Sequence, residues 1–181
     1  MHPNDRGHDY CGRFITRLLD RVLAELPTDE QLPQISPMPP PLFSDQFEHV
    51  ALFEADALKP LSNKGWSYEA GQQGDKCWKA DQPGSIIEFE VSGQTILLMD
   101  WHIRGPMGQA SVRVDEQPPV LREGWFEQTW GGYRQTTVLA RELRPGKHKV
   151  NIELLPEKNP QSTGHEFRVL GLGVAGIKAE N

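Results

Sequence analysis

The chain has 181 residues, of which 24% are charged and 37% hydrophobic, and its formal net charge at pH 7 is −6. This length and composition are typical of one globular domain, or of one domain with an appendage. The negative charge argues against a nucleic-acid-binding surface, and no run of about 18 apolar residues predicts a membrane span.

An amphipathic helix is predicted over residues 5–26. Its apolar residues recur at spacings of three and four, which places them on one helix face. They are Phe14, Ile15, Leu18, Leu19, Val22, Leu23 and Leu26. Asn4 or Asp5 can cap the first turn, because a short side-chain oxygen accepts from free backbone N–H groups. We expect the apolar face to pack on the downstream domain, to pair with a second copy, or to fray.

Residues 27–41 are predicted to form a linker, since six of the fifteen are proline. Such a stretch favours extended polyproline II conformation and lacks many backbone donors. The sequence therefore predicts three segments. They are a helical segment at 1–26, a proline-rich spacer at 27–41 and a second domain at 42–181.

The second domain is predicted to be all β. Apolar runs of strand length recur, and Pro-Gly, Ser-Gly and Gly-Pro pairs mark the turns between them. The predicted strands are 48–54, 76–80, 85–91, 95–103, 110–115, 135–140, 148–155 and 166–177. Short strands at this spacing are typical of a β-sandwich, so the expected fold class is mainly β with one N-terminal helix.

The first eight residues, Met-His-Pro-Asn-Asp-Arg-Gly-His, resemble the last sequence block of SGNH (GDSL-type) hydrolases. In that family an Asp-x-x-His pair ends the catalytic triad. The resemblance makes His2 the catalytic base and Met1 the second x of the pair, and it places the Asp two residues before Met1. No Gly-Asp-Ser or Gly-x-Ser-x-Gly motif occurs in the sequence. We therefore expect the C-terminal part of a serine esterase, inactive without the missing Ser and Asp.

Two motifs in the second domain resemble the galactose-binding-like jelly rolls found beside SGNH esterase domains, including carbohydrate esterases. The first is Val112-Arg113-Val114-Asp115, and the second is Leu143-Arg144-Pro145-Gly146-Lys147-His148. Glu116 stands where these domains usually have Gly, so the turn after Asp115 can differ. The resemblance implies a jelly-roll module that shapes, covers or tethers the substrate site of an esterase acting on acylated, above all acetylated, carbohydrate.

Two groups of residues are candidates for substrate contact. Trp125, Trp130 and Tyr133 fall in a loop-like stretch, and aromatic faces stack on sugar rings. Asp100 and His102 share one face of a predicted strand, where they could form a polar pair at a rim. The alternative for each group is structural, as core aromatics or as a satisfied strand pair. Trp66, Trp78 and Trp101 are expected in the core.

No ligand spacing of Cys, His or Asp predicts a metal site, and no cofactor is expected. Cys11 and Cys77 are expected to be free thiols. The N-terminus has no signal-peptide pattern, so localisation stays open between the cytoplasm and, for a truncated chain, secretion. The alternative function is a stand-alone β-sandwich that binds glycan or protein, without catalysis, and dimerises through its N-terminal helix.

Overall fold

A computed structural model of the protein describes residues 4–26, 39, 47, 49–70 and 76–176. The chain divides into two compact units, residues 1–40 and 41–181. Each unit is described by itself. The predicted proline-rich linker lies outside the described residues except for Pro39.

The first unit contains one helix, α1 (Asp5–Glu25). Asn4 caps it, since its side-chain Oδ1 accepts from the backbone N–H of Gly7 at 2.9 Å. Ion pairs of Arg13 with Asp9 (3.0 Å) and Arg21 with Glu25 (3.3 Å) lie along its polar side. No residue of the helix is buried, so nothing described within this unit covers the predicted apolar face. The helix prediction is confirmed to within one residue of its end.

The second unit is a sandwich of two antiparallel sheets. The first sheet has the order β3-β4-β11-β6-β9, with β1 also paired to β11, and the second has the order β2-β5-β10-β7-β8. The strands are β1 (Ala51–Glu54), β2 (Pro60–Lys64), β3 (Ser67–Ala70), β4 (Lys76–Ala80), β5 (Ile86–Ser92), β6 (Thr95–His102), β7 (Gln109–Val114), β8 (Val120–Glu123), β9 (Tyr133–Ala140), β10 (Lys147–Leu154) and β11 (Phe167–Ala175). The predicted jelly-roll, galactose-binding-like fold class is confirmed.

The main core lies between the two sheets and follows from strict alternation along the strands. In β10 the side chains of Val150, Ile152 and Leu154 are fully buried, while Lys149 and Glu153 are exposed. Residues from both sheets complete this core, including the fully buried Phe89 and Leu172. Each such side chain contributes about 1.5–3 kcal/mol relative to exposure to water.

A second, smaller core lies on the opposite face of the first sheet. It contains Cys77, Met99, Trp101, Met107, Trp125 and Leu170. Met99 and Trp101 alternate with Leu98 and Asp100 along β6, so they point away from the main core. The loops after β6 and β8 cover this face, and the Ser162 hydroxyl fastens the first of them by donating to the carbonyl of Met107 at 2.5 Å. Strand β6 is consequently buried on both faces.

The two motifs that resemble the galactose-binding-like domains contact each other. His148 Nδ1 lies 2.7 Å from Asp115 Oδ2, and its Nε2 lies 2.8 Å from the carbonyl oxygen of Arg144. Asp115 has φ = +48°, so the turn before Glu116 is left-handed without a glycine. Partial burial opposes ionisation of Asp115, yet hydrogen bonds from the Lys149 amide and His148 hold its pKa below the ordinary value. This pair braces the turn, and we assign it no ligand.

All eight predicted strands are present, but the sequence did not predict β2, β3 and β8. These three are short and lie at sheet edges. Their sequences, PLSNK, SYEA and VLRE, carry few apolar residues, because an edge strand buries little of its surface. The physical signal of strand periodicity is therefore weak in all three.

Candidate functional site

The predicted polar pair forms at the end of β6, where the inward faces of the two sheets meet. Asp100 and His102 lie two residues apart on this strand, and His102 Nε2 is 2.9 Å from Asp100 Oδ2. Arg122 reaches the same carboxylate from β8 in the other sheet, with Nη2 at 3.1 Å from Oδ1 and 3.2 Å from Oδ2. The cluster is therefore a link between the two sheets.

Burial of the Asp–His–Arg cluster is nearly complete. The Asp100 side chain is fully buried, and the side chains of His102 and Arg122 are 11% and 14% exposed. A carboxylate in such a place needs donors on both oxygens, and Arg122 and His102 supply them. Both oxygens of Asp100 therefore have donors, and only a small fraction of the His102 side chain is exposed.

Hydrogen-bond geometry fixes the tautomer of a neutral His102. Asp100 accepts hydrogen bonds, so the ring proton belongs on Nε2. Arg122 Nη2 lies 3.3 Å from that same nitrogen, but two donors cannot bond each other, so this approach is not a hydrogen bond. Nδ1 is left as the acceptor of the ring, and no hydrogen bond within the described part of the chain reaches it.

An aromatic cluster of three residues, here called the platform, adjoins His102. Tyr133 opens β9 directly opposite His102 in the ladder, and their ring centroids are 5.2 Å apart. Phe126 stands edge-on to Tyr133 at 4.8 Å and to Trp130 at 5.2 Å, and Trp130 lies 6.1 Å from Tyr133. Trp130 is 66% exposed. The platform therefore presents one indole to solvent on a base of two partly buried rings.

The other aromatic candidate, Trp125, does not join the platform. It is 9% exposed and packs in the second core, and its backbone N–H donates to Glu123 Oε1 at 2.9 Å. This burial favours the structural alternative for Trp125, as an aromatic residue of the core, over a place on the contact surface. Trp66 and Trp101 are buried, and Trp78 packs partly buried against the main core.

The sequence did not point to Arg122, which completes the polar cluster. Its β8 neighbours give a weak strand signal, and its partner Asp100 lies 22 residues away on the other sheet. His2, the predicted catalytic base, lies outside the described residues. The buried Ser85 and Ser162 bond backbone carbonyls, so neither is arranged as a nucleophile beside a histidine.

Other chemistry has little support within the described ranges. No three His, Cys, Asp or Glu side chains there converge as a metal site would require. Both cysteines are free, and burial raises the pKa of Cys77 to about 11, which leaves it unreactive. Nor is there, in those ranges, a helix with the length and apolar character needed to cross a membrane.

No protein-family model matches the sequence, and a search of curated proteins gives no match. Solved structures do match. A two-domain esterase active on acetylated mannans superposes with a TM-score of 0.77 at 23% identity, over 99% of this chain and 49% of that one. The same esterase crystallised with mannopentaose gives 0.75 at 23% identity, over 100% and 49%. A xanthan lyase from Paenibacillus gives 0.52 at 12% identity, over 69% and 13%.

This likeness establishes the fold. The expected resemblance to part of an esterase with a jelly-roll domain is confirmed at that level, and the chain spans about half the length of the two-domain esterase. Of these neighbours, the esterase is active on acetylated mannans and the other is a xanthan lyase. The comparisons do not bear on the predicted pairing through the helix, which stays a prediction.

Proposed function

We propose that this polypeptide supplies the sugar-contacting jelly-roll part of a carbohydrate acetylesterase. The superposition of nearly the whole chain on half of a two-domain esterase active on acetylated mannans supports this proposal most directly. The His-Pro-Asn run that begins at His2 resembles the triad block of SGNH esterases. In the proposed enzyme His2 takes the proton of the catalytic serine. The Gly-Asp-Ser motif that carries this serine in the family does not occur in the present sequence.

In this proposal the platform contacts the glycan. The exposed face of Trp130 offers the apolar surface on which the C–H groups of a sugar ring stack. His102 packs on Tyr133 of the platform with 11% of its side chain exposed, and in this proposal its Nδ1 accepts a hydrogen bond from a sugar hydroxyl. Asp100 then contributes through His102, because its own carboxylate is fully buried and engaged.

We also propose that the 181-residue chain by itself does not hydrolyse acetyl esters. A serine esterase needs nucleophile, base, orienting acid and oxyanion donors together. The described serines that are buried bond backbone carbonyls instead of a histidine. We therefore expect the chain to bind acetylated glycan and to release no acetate from it.

Glycan binding is tested by affinity electrophoresis and calorimetry with acetylated and deacetylated mannan. Trp130→Ala should abolish measurable binding and leave the melting temperature nearly unchanged, because this side chain is 66% exposed. Tyr68→Ala is the matched control, an exposed aromatic on β3 outside the platform. Equal binding by wild type and Trp130→Ala would refute the platform.

Catalysis is tested by acetate release from acetylated mannan. The chain alone should give no release above buffer, and His2→Ala should give the same result. Release by the pure chain that disappears in His2→Ala would contradict the division of the triad proposed above. Release that persists in His2→Ala but disappears in His102→Ala would move the active site to β6.

A further inference from the structure

The loop that carries the platform is anchored at both ends on one buried pair of residues. This loop, residues 124–132, follows β8 and precedes β9. At its start Arg122 bonds Asp100, and at its end Tyr133 packs on His102. Asp100 and His102 bond each other at 2.9 Å on β6. The two ends of the loop therefore meet on neighbouring side chains of a single strand.

We propose that Arg122 and Asp100 are positioning residues that hold the platform through His102. The ion pair fixes Asp100, Asp100 fixes the ring of His102 through Nε2, and His102 supports Tyr133, against which Phe126 and Trp130 pack. The consequence for sugar binding rests on the function proposed above. The positioning itself depends only on the geometry of the cluster.

Stability alone does not account for this cluster. Arg122 faces the main core, because its ladder partner Ala110 is fully buried. Burying an arginine and a carboxylate carries a desolvation penalty that apolar side chains of similar size would avoid. Arg122 Nε is in addition buried without an acceptor among the described residues, which is unfavourable. Such local departures from good packing are expected where a side chain serves a site.

The neighbour of Arg122 reinforces the same end of the loop. Glu123 Oε2 accepts from Gln109 Nε2 at 2.8 Å, and its Oε1 accepts from the backbone N–H of Trp125 at 2.9 Å. These bonds fix the first residues of the loop, so Glu123 and Trp125 connect Arg122 on β8 to Phe126 in the loop. A residue that acts through others in this way changes ligand affinity without touching the ligand.

The test replaces Arg122 or Asp100 and measures the effect on the rings of His102 and Tyr133 by NMR. Arg122→Met keeps the length and removes the charge, Arg122→Lys keeps the charge without the planar fork, and Asp100→Asn is nearly isosteric. The 15N signals of the imidazole report the His102 tautomer, and 13C-labelled Tyr133 reports ring packing. Calorimetry with mannopentaose reports affinity for a sugar chain.

We expect wild type to show one His102 tautomer, with the proton on Nε2. In Arg122→Met, which removes the ion pair that fixes Asp100, we expect shifted His102 and Tyr133 signals and about tenfold weaker sugar binding, the size of one lost aromatic contact. Asp100→Asn should mix the tautomers, because a carboxamide can either accept from Nε2 or donate to it. Arg122→Lys should restore part of each effect. Arg168→Met is the control, since Arg168 is also a buried arginine, 8% exposed, whose ion pair is with Glu166 and not with Asp100. It should leave the His102 and Tyr133 signals unchanged.

The outcomes separate this inference from the proposed function. Unchanged His102 and Tyr133 signals in a folded Arg122→Met overturn the positioning role, whatever the affinity does. Absence of sugar binding in wild type overturns the proposed function, while the ring signals still decide the positioning. If Arg122→Met does not fold, Asp100→Asn decides, because a carboxamide keeps the shape of Asp100 and removes its charge.

Discussion

Gly132 lies against the indole of Trp101, and its replacement by alanine should disturb both the second core and the platform. A Cβ at this position would stand 2.5 Å from Trp101 Cζ2, 2.6 Å from Cε2 and 2.7 Å from Nε1. Ordinary carbon contacts are about 3.5–4.0 Å, so the ring or the loop must move by about 1 Å. Trp101 is 5% exposed and packed among Met99, Met107 and Trp125, so the ring has little room.

Overpacking of this kind costs about 1–3 kcal/mol, which for a domain of this size lowers the melting temperature by about 3–10 °C. In calorimetry Gly132→Ala should therefore unfold at a lower temperature than the wild type. It should also bind mannan more weakly, since Trp130 and Tyr133 lie close to Gly132 in the sequence. Gly105→Ala is the matched control, because a Cβ there meets nothing within 4 Å. A Gly132→Ala melting temperature equal to that of Gly105→Ala would refute the close packing of Gly132 on Trp101.

Two further predictions concern titratable groups. Native protein at pH 8 should react with one equivalent of Ellman's reagent, at exposed Cys11, and with two after denaturation, because burial raises the pKa of Cys77 to about 11; two rapid equivalents in the native state would contradict this. Asp115→Asn should lower the free energy of unfolding. The loss should have its full size above pH 3.8, the ordinary pKa of the carboxyl group, and should disappear as the pH falls through the lower pKa of Asp115 in the folded protein. Denaturation of both proteins between pH 2 and 7 checks this, and a difference that does not change with pH would exclude the His148 brace as its source.

The strands that build the main core could be read from the sequence because their burial is periodic. In β10 the alternation of Val150, Ile152 and Leu154 with polar residues states directly which side faces the core. The helix could be predicted from the sequence equally well, since its cap and the spacing of its apolar residues are local features. Strand β6 was predicted from its long apolar run. A continuous apolar run does not indicate which side chains share a face, so it could not show that Met99 and Trp101 belong to a second core.

The candidate site was predicted in part for the same reason. Asp100 and His102 lie two residues apart on one strand, so local periodicity is enough to bring them together. Arg122 joins them only through the packing of two sheets, and no local signal carries that contact. An arginine on the inward face of a short edge strand also weakens the strand pattern, which is why β8 was not predicted. The same arginine that weakens the pattern of β8 is thus the one that bonds Asp100 across the two sheets.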